Sequence, residues 1–155
     1  MITKIKLLLF IFFFLTQCGY KVIDKSFSRY NLINVETEGY KKINFYIKNE
    51  LANNIKNENN INISINIATN RIKDIEEKNI KNEITKYRVQ INTNIELYFI
   101  DDNKTEKFKI SSSGSYKVED TSVKTSKNLD NLEKKLTKNI LRELNQKLLI
   151  LSDDS

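Results

Sequence analysis

Cys18 is the only thiol in a chain of 155 residues that contains no histidine. With no second cysteine there is no disulfide and no cysteine-based metal site. Without histidine there is no Ser-His-Asp or Cys-His nucleophile and no histidine-based zinc site. Glycine stands only at positions 19, 39 and 114, so a glycine-rich phosphate loop is absent as well. Carboxylate pairs and Ser-Lys dyads are the enzymatic chemistry that remains. The carboxylates Asp74, Glu76, Glu77 and Glu83, however, sit beside lysines in polar stretches, as solvated surfaces do. The residues point away from an enzyme and away from any cofactor. What they leave is a single thiol at position 18 and the chemistry of acylating it.

The surroundings of Cys18 fit that chemistry. Lys4 and Lys6 give a basic start, Leu7 to Leu15 are wholly apolar, and Thr16, Gln17, Cys18 and Gly19 follow. A charged start, a short apolar run and a small-residue site make an export signal. A spanning helix needs about 20 apolar residues, and this run is too short for one. Leu15-Thr16-Gln17-Cys18 resembles the lipobox of bacterial lipoproteins, with Gln17 where that group prefers Gly, Ala or Ser. The resemblance implies removal of residues 1–17 as a signal peptide and diacylation of the Cys18 thiol. The covalent lipid would be the only non-protein group and would hold the chain on a membrane, since each buried methylene contributes about 0.8 kcal/mol. By resemblance to proteobacterial lipoproteins, Gly19 in place of Asp implies onward transport to the outer membrane.

Composition bounds the rest. Lys and Arg number 26 against 20 Asp and Glu, a formal charge of +6, two fewer once Lys4 and Lys6 are removed. A basic balance suits an anionic partner, but the abundance of Lys, Asn and Ile with no Pro or Trp reads as compositional drift. Export argues against nucleic acid. Residues 18–28 read as a lipid-anchored tether, 29–150 as a single domain, and 151–155 as a frayed tail.

Within that domain the elements follow from periodicity. Arg29 to Glu36 reads as a first strand, and Glu38-Gly39 as a turn. Ile43, Ile47, Leu51 and Ile55 recur every four residues and predict a half-buried helix over 40–57. Ile61, Ile63, Ile65 and Ile67 alternate with Asn62, Ser64 and Asn66, a one-faced strand. Residues 70–84 are charged and loosely patterned, and read as a long connection with some strand character at its start. Tyr87 to Phe99 and Phe108 to Val118 alternate again, joined by the polar turn Asp101-Asp102-Asn103-Lys104, and predict a long antiparallel hairpin. Ser112 and Gly114 fall on its core face, which marks a close approach or a bulge. After a polar connection over Glu119 to Asn128, the stripe Leu129, Leu132, Leu136, Ile140, Leu144 and Leu148 predicts a closing helix. The order is βαβββα, an α+β fold with two amphipathic helices on one face of a four-stranded, mostly antiparallel sheet. Ile91 and Leu136 are core positions at which Asp should unfold the domain. The other sheet face carries Asn62, Ser64, Asn66, Arg88, Gln90, Asn92, Asn94 and Glu96, and is polar.

This layout resembles the LPS-assembly lipoprotein family, LptE. The features that match are Cys18-Gly19-Tyr20, the strand and amphipathic helix, Lys86-Tyr87-Arg88-Val89-Gln90-Ile91 leading into the central strand, and Ser113-Gly114-Ser115-Tyr116 leading to a closing helix. The resemblance implies a place at the cell outer membrane, facing the periplasm or within the lumen of a barrel. It implies a role in assembling and plugging the LptD β-barrel translocon and in lipopolysaccharide insertion into the outer leaflet. A polar face suits the polar lumen of such a barrel. It also implies basic contacts to lipopolysaccharide before the central strand and near the last helix, where this chain offers Lys78, Lys81, Lys124 and Lys127. The alternative is another periplasm-facing structural or auxiliary lipoprotein, a lipid-transport accessory or a cell-wall synthase activator. A small-molecule binding module would instead require an enclosed apolar pocket between helices and sheet.

Overall fold

The computed structural model describes residues 30–52 and 61–153. Cys18, the tether over 18–28, Ile55 and the polar break Asn57 to Asn60 lie outside the described residues. Six elements follow in order: β1 (Tyr30–Gly39), α1 (Lys41–Ala52), β2 (Ile61–Lys78), β3 (Ile84–Phe99), β4 (Lys104–Lys117) and α2 (Ser122–Asp153). The strands form one sheet in the order β1-β2-β3-β4. β1 runs parallel to β2, and β2, β3 and β4 are antiparallel neighbours. This is the expected α+β architecture, with one parallel pair made possible by the crossover through α1.

The alternating residues put one apolar face toward the helices. Ile63, Ile65 and Ile67 of β2, Val89, Ile91, Ile95 and Leu97 of β3 and Ile110 of β4 are buried there. Opposite them lie Ile43, Ile47 and Leu51 of α1 and Leu136, Ile140, Leu144 and Leu148 of α2. Each such side chain contributes roughly 1.5–3 kcal/mol by leaving water. Ile91 is 0% exposed and Leu136 2% exposed, so both hold the core positions expected of them. The predicted hairpin pairs Tyr87 with Tyr116, Val89 with Gly114, Ile91 with Ser112 and Ile95 with Phe108. Gly114 is a close approach: a Cβ there would meet Leu132 Cδ1 at 2.8 Å.

The chain turns from β1 into α1 at Gly39, whose φ of 91° favours glycine. The turn is pinned by Thr69. Its carbonyl accepts the Tyr40 N–H at 3.2 Å, and its hydroxyl accepts the same N–H at 3.0 Å while donating to Asn44 Oδ1 at 2.7 Å. At the other end of β1, Tyr30 is buried and donates its hydroxyl to the Leu148 carbonyl at 2.9 Å. Its ring meets Phe99 edge-on at 6.2 Å. The start of β1, the end of β3 and the end of α2 therefore share one pole of the domain.

Several boundaries differ from the sequence expectation, most in β1, β2 and α2. β1 continues through Gly39, because pairing with β2 carries it past the last apolar residue. Residues 70–78 are strand, not connection: β2 stays paired with β3 from Asn70↔Asn92 to Lys78↔Ile84. Their side chains are almost all exposed, so the ladder, not burial, holds them, and the hydrophobic pattern fades. α2 begins at Ser122, well before its apolar stripe. Thr121 caps it, accepting the Lys124 N–H at 3.4 Å. α2 also continues through Asp153, so residues 151–153 belong to the helix.

Candidate functional site

The site is built where β2 ends, β3 begins, β4 ends and α2 starts. In antiparallel neighbours, residues opposite one another share a face. Ile75 lies opposite Tyr87, and Tyr87 opposite Tyr116, so the three form one rung on the helix side of the sheet. α1 starts level with Thr69 and leaves this part of the sheet uncovered. The two tyrosine rings stack at 5.6 Å with 23° between their planes. Lys73 Nζ sits 3.7 Å from the Tyr87 ring centre and 5.7 Å from that of Tyr116. A cation over an aromatic face is held by the ring quadrupole. Lys73, Tyr87 and Tyr116 line, with Ile84, Val118, Leu129 and the carboxylate-bearing Glu119, an open, mainly apolar groove of about 470 Å³. It combines an apolar floor with a fixed cation, which is what an anionic amphiphile needs.

The four lysines expected to contact lipopolysaccharide come to this same end from two elements. Val118 donates its N–H to the Thr85 carbonyl at 2.9 Å, which sets the start of α2 level with the base of the β2–β3 turn. Lys78 ends β2 and donates to Asn82 Oδ1 at 3.0 Å. Lys81 stands on the turn itself. There Asn79 Oδ1 accepts the N–H groups of Lys81 and Glu83 at 2.9 and 3.0 Å, and Asn82 takes a φ of 65°. Ile80 is fully exposed at the tip. Lys124 and Lys127 lie in the first turns of α2, not in a loop as the sequence suggested. Lys73 was missed. Extending the alternation from Ile67 through Thr69 and Arg71 would have put it on the helix side.

A second polar cluster ties the helices to the sheet. Glu133 of α2 is 0% exposed. Its carboxylate meets Arg71 Nε and Lys42 Nζ, each at 2.8 Å, and accepts the Tyr40 hydroxyl at 3.3 Å. One turn earlier, Asp130 pairs with Lys134 at 2.8 Å and Lys42 at 2.9 Å, and accepts the Tyr46 hydroxyl at 2.8 Å. Hydrogen bonds from Lys134, Lys42 and Tyr46 hold the Asp130 carboxyl well below the usual carboxylate range. Burial works against the charge on Lys42, but its bonds to Glu133 and Asp130 outweigh this and raise its pKa. Both carboxylates are paired with cations and accept from tyrosines, although Glu133 Oε2 and Arg71 Nε have ion-pair contact without hydrogen-bond geometry. They lock α1, β2 and α2 together. Among the described residues no cluster of three His, Cys, Asp or Glu is placed to hold a metal, and no helix is long and apolar enough to cross a membrane.

The face of the sheet turned away from the helices is polar, as expected. Asn31 donates to Asn62, Gln90 to Asn92, Ser111 to Asn92 and Arg88 to Ser113, and Lys107 pairs with Glu96 at 2.7 Å. An open groove of about 380 Å³ runs over Asn66, Asn94, Glu96, Lys107 and Lys109.

No protein-family model and no curated protein sequence matches the chain. Solved structures do. A candidate lipoprotein from Caulobacter crescentus superposes with a TM-score of 0.59 at 11% identity, over 85% of this chain and 96% of that one. Rare lipoprotein B from Shewanella oneidensis gives 0.53 at 13% identity, over 77% of this chain and 98% of that one. Uncharacterized lipoprotein B from Nitrosomonas europaea gives 0.53 at 11% identity, over 87% and 93%. At these identities the likeness is one of fold. The βαβββα domain is thus a fold that bacterial lipoproteins carry.

Proposed function

We propose that this chain is a lipid-anchored outer-membrane protein that supports and plugs an LptD-type β-barrel translocon and assists lipopolysaccharide insertion. The reading is non-enzymatic, and its only non-protein group is the lipid on Cys18. One observation carries it: the β2–β3 turn with Lys78 and Lys81 and the first turns of α2 with Lys124 and Lys127 stand at the same end of the domain as the Lys73–Tyr87–Tyr116 groove, at the pole opposite the start of β1. β2 has 18 residues, and at about 3.3 Å per residue it separates the two poles by roughly 60 Å. A chain held by a lipid ahead of β1 would thus present its basic, aromatic end far from its own anchor. Phosphates of lipopolysaccharide suit the ammonium groups, and an acyl chain suits Ile84, Val118 and the tyrosine faces. The polar sheet face suits a water-filled lumen. That solved structures with this fold include bacterial lipoproteins agrees with the anchor.

The experiment is a pull-down with the full-length acylated protein from detergent-solubilised outer membranes, with lipopolysaccharide binding measured on the same preparation. Stable capture of a large barrel protein is expected. Absence of any barrel in the eluate would end this reading. Capture of a soluble periplasmic partner in its place would favour an auxiliary role in lipid transport or cell-wall synthesis.

A further inference from the structure

β1 and β2 run side by side only as far as Gly39 opposite Thr69, yet β2 continues to Lys78. Two hydrogen bonds fix which way the backbone of β2 points. Asn62 O accepts the Ile100 N–H at 2.9 Å, on the β3 side. Thr69 O accepts the Tyr40 N–H at 3.2 Å, on the β1 side. Because strand residues alternate, Arg71, Lys73 and Ile75 turn their N–H and C=O groups outward, past the end of β1. Among the described residues no strand pairs with that edge. Ile72 and Ile75 beside it are 39% and 51% exposed.

We propose that this open edge of β2 accepts one extended strand of a partner protein, laid in line with β1. Main-chain hydrogen bonds would supply affinity, and side chains at alternate positions would supply selectivity. The edge carries opposite charge on its two faces. Lys73 lies on the helix side, beside an Arg71 already paired with Glu133, and Asp74 lies on the other, next to Glu76, which Lys86 meets at 3.5 Å. The matching strand has carboxylate and apolar side chains on the helix side and basic side chains on the far side. A second copy of this chain does not fit. In two-fold antiparallel self-pairing, opposed residues share a face, so one residue must lie opposite itself. Centring on Lys73 or Asp74 opposes like charges directly. Centring on Ile72 sets Arg71 against Lys73, and centring on Ile75 sets Asp74 against Glu76. Like charges directly opposite are destabilising. The charges that block self-association and guard the edge are the same ones that select a hetero-strand. The inference rests on the sheet edge alone and does not depend on the lipopolysaccharide reading.

The test uses the full-length protein in detergent, with amide hydrogen exchange as the readout. The probe is a seven-residue synthetic peptide alternating Glu or Val with Lys or Thr. Its controls are the same peptide N-methylated at alternate residues and a peptide bearing Glu on both faces. Addition of the first peptide should slow exchange at Arg71, Lys73 and Ile75 about tenfold or more, since exposed edge amides otherwise open freely. Neither control should do so. Lys73→Pro should abolish the protection. Its N–H points away from β3, so the β2–β3 ladder survives, and unchanged protection at Ile63 to Ile67 would verify that. Asp74→Lys, on the exposed face, should lose binding of the first peptide without loss of fold. Equal protection by the N-methylated peptide overturns the proposal. So does protection that appears without peptide as the protein dimerises in sedimentation.

Discussion

Arg71 Nε lies 2.8 Å from Glu133 Oε1, an ion pair that joins the second strand to the last helix at a carboxylate with no solvent exposure. Lys42 of α1 completes it from the other oxygen at 2.8 Å. The three elements that must keep their relative positions for the basic end to form are thus bound at one carboxylate. Removing one partner of a buried pair leaves an uncompensated charge and costs about 3–5 kcal/mol, whereas replacing both with apolar groups is often neutral. Glu133→Ala is therefore predicted to destabilise the protein by about that amount. Arg71→Met with Glu133→Met should cost much less than the two single changes together. A denaturant-unfolding double-mutant cycle measures both, and a loss below ~1 kcal/mol for Glu133→Ala, the range of exposed pairs, would refute the locking role.

The same cluster sets a pH dependence. The Asp130 carboxyl is held below its ordinary range in the fold by Lys134, Lys42 and Tyr46. The unfolded chain therefore binds the proton at higher pH than the folded one. Its stabilisation is present above the ordinary carboxylate pKa of about 3.9 and is lost as pH falls below it. Lys42 is raised, so its contribution is present below the ordinary lysine value of about 10.4 and is lost as pH rises above it. Thermal melts across pH should show Asp130→Asn flattening the acid limb and Lys42→Met flattening the alkaline one. Identical acid limbs for wild type and Asp130→Asn would exclude this assignment.

Most of the fold was legible because burial writes itself into the sequence. The Ile61–Ile67 alternation, the Tyr87–Phe99 and Phe108–Val118 arms and the Leu129–Leu148 stripe all mark faces that leave water. The distal arm of β2 carried no such mark. Residues Asn70 to Lys78 are held by backbone pairing to β3 while their side chains stay in solvent, so only their partner reveals them. The start of α2 was hidden for a similar reason, its first turns being polar and capped by Thr121. That the two segments carrying the four lysines stand at one end of the domain was not legible, because it depends on the Val118–Thr85 hydrogen bond that aligns them. Lys73 and the Glu133 cluster were missed because single charged residues within polar stretches look like any others.

Two glycines make opposite predictions for one substitution. At Gly39 φ is 91°, and a Cβ would collide with the Thr69 carbonyl oxygen, which is backbone and cannot move aside. At Gly114 the nearest atom is the tip of Leu132, which can rotate. Gly39→Ala should cost at least about 2 kcal/mol, the scale of strained backbone. Gly114→Ala should cost less than about 1 kcal/mol, and Gly114→Val about 1–3 kcal/mol by overpacking β4 against α2. Equal melting temperatures for the two alanine variants would show that the turn into α1 is not strained as described.

The last prediction separates the basic end from the rest of the domain. Lys78→Glu with Lys81→Glu, and Lys124→Glu with Lys127→Glu, change exposed side chains, and such changes usually move stability by within about 0.5 kcal/mol. Each pair should weaken lipopolysaccharide binding several-fold at low salt. The difference from wild type should shrink as ionic strength rises, because exposed charges are screened over about 8 Å at physiological salt. Lys73→Met tests the groove itself. It keeps an apolar side chain of similar length against Tyr87 but removes the cation, so it should lower affinity for a phosphate-bearing amphiphile and leave affinity for an uncharged detergent unchanged. Capture of a barrel protein should survive all three variants, since it would rest on the area of the sheet face. Binding of lipopolysaccharide that is insensitive to salt and to both double reversals would remove this end from the proposed contact. Loss of barrel capture along with it would instead place the barrel's contact here.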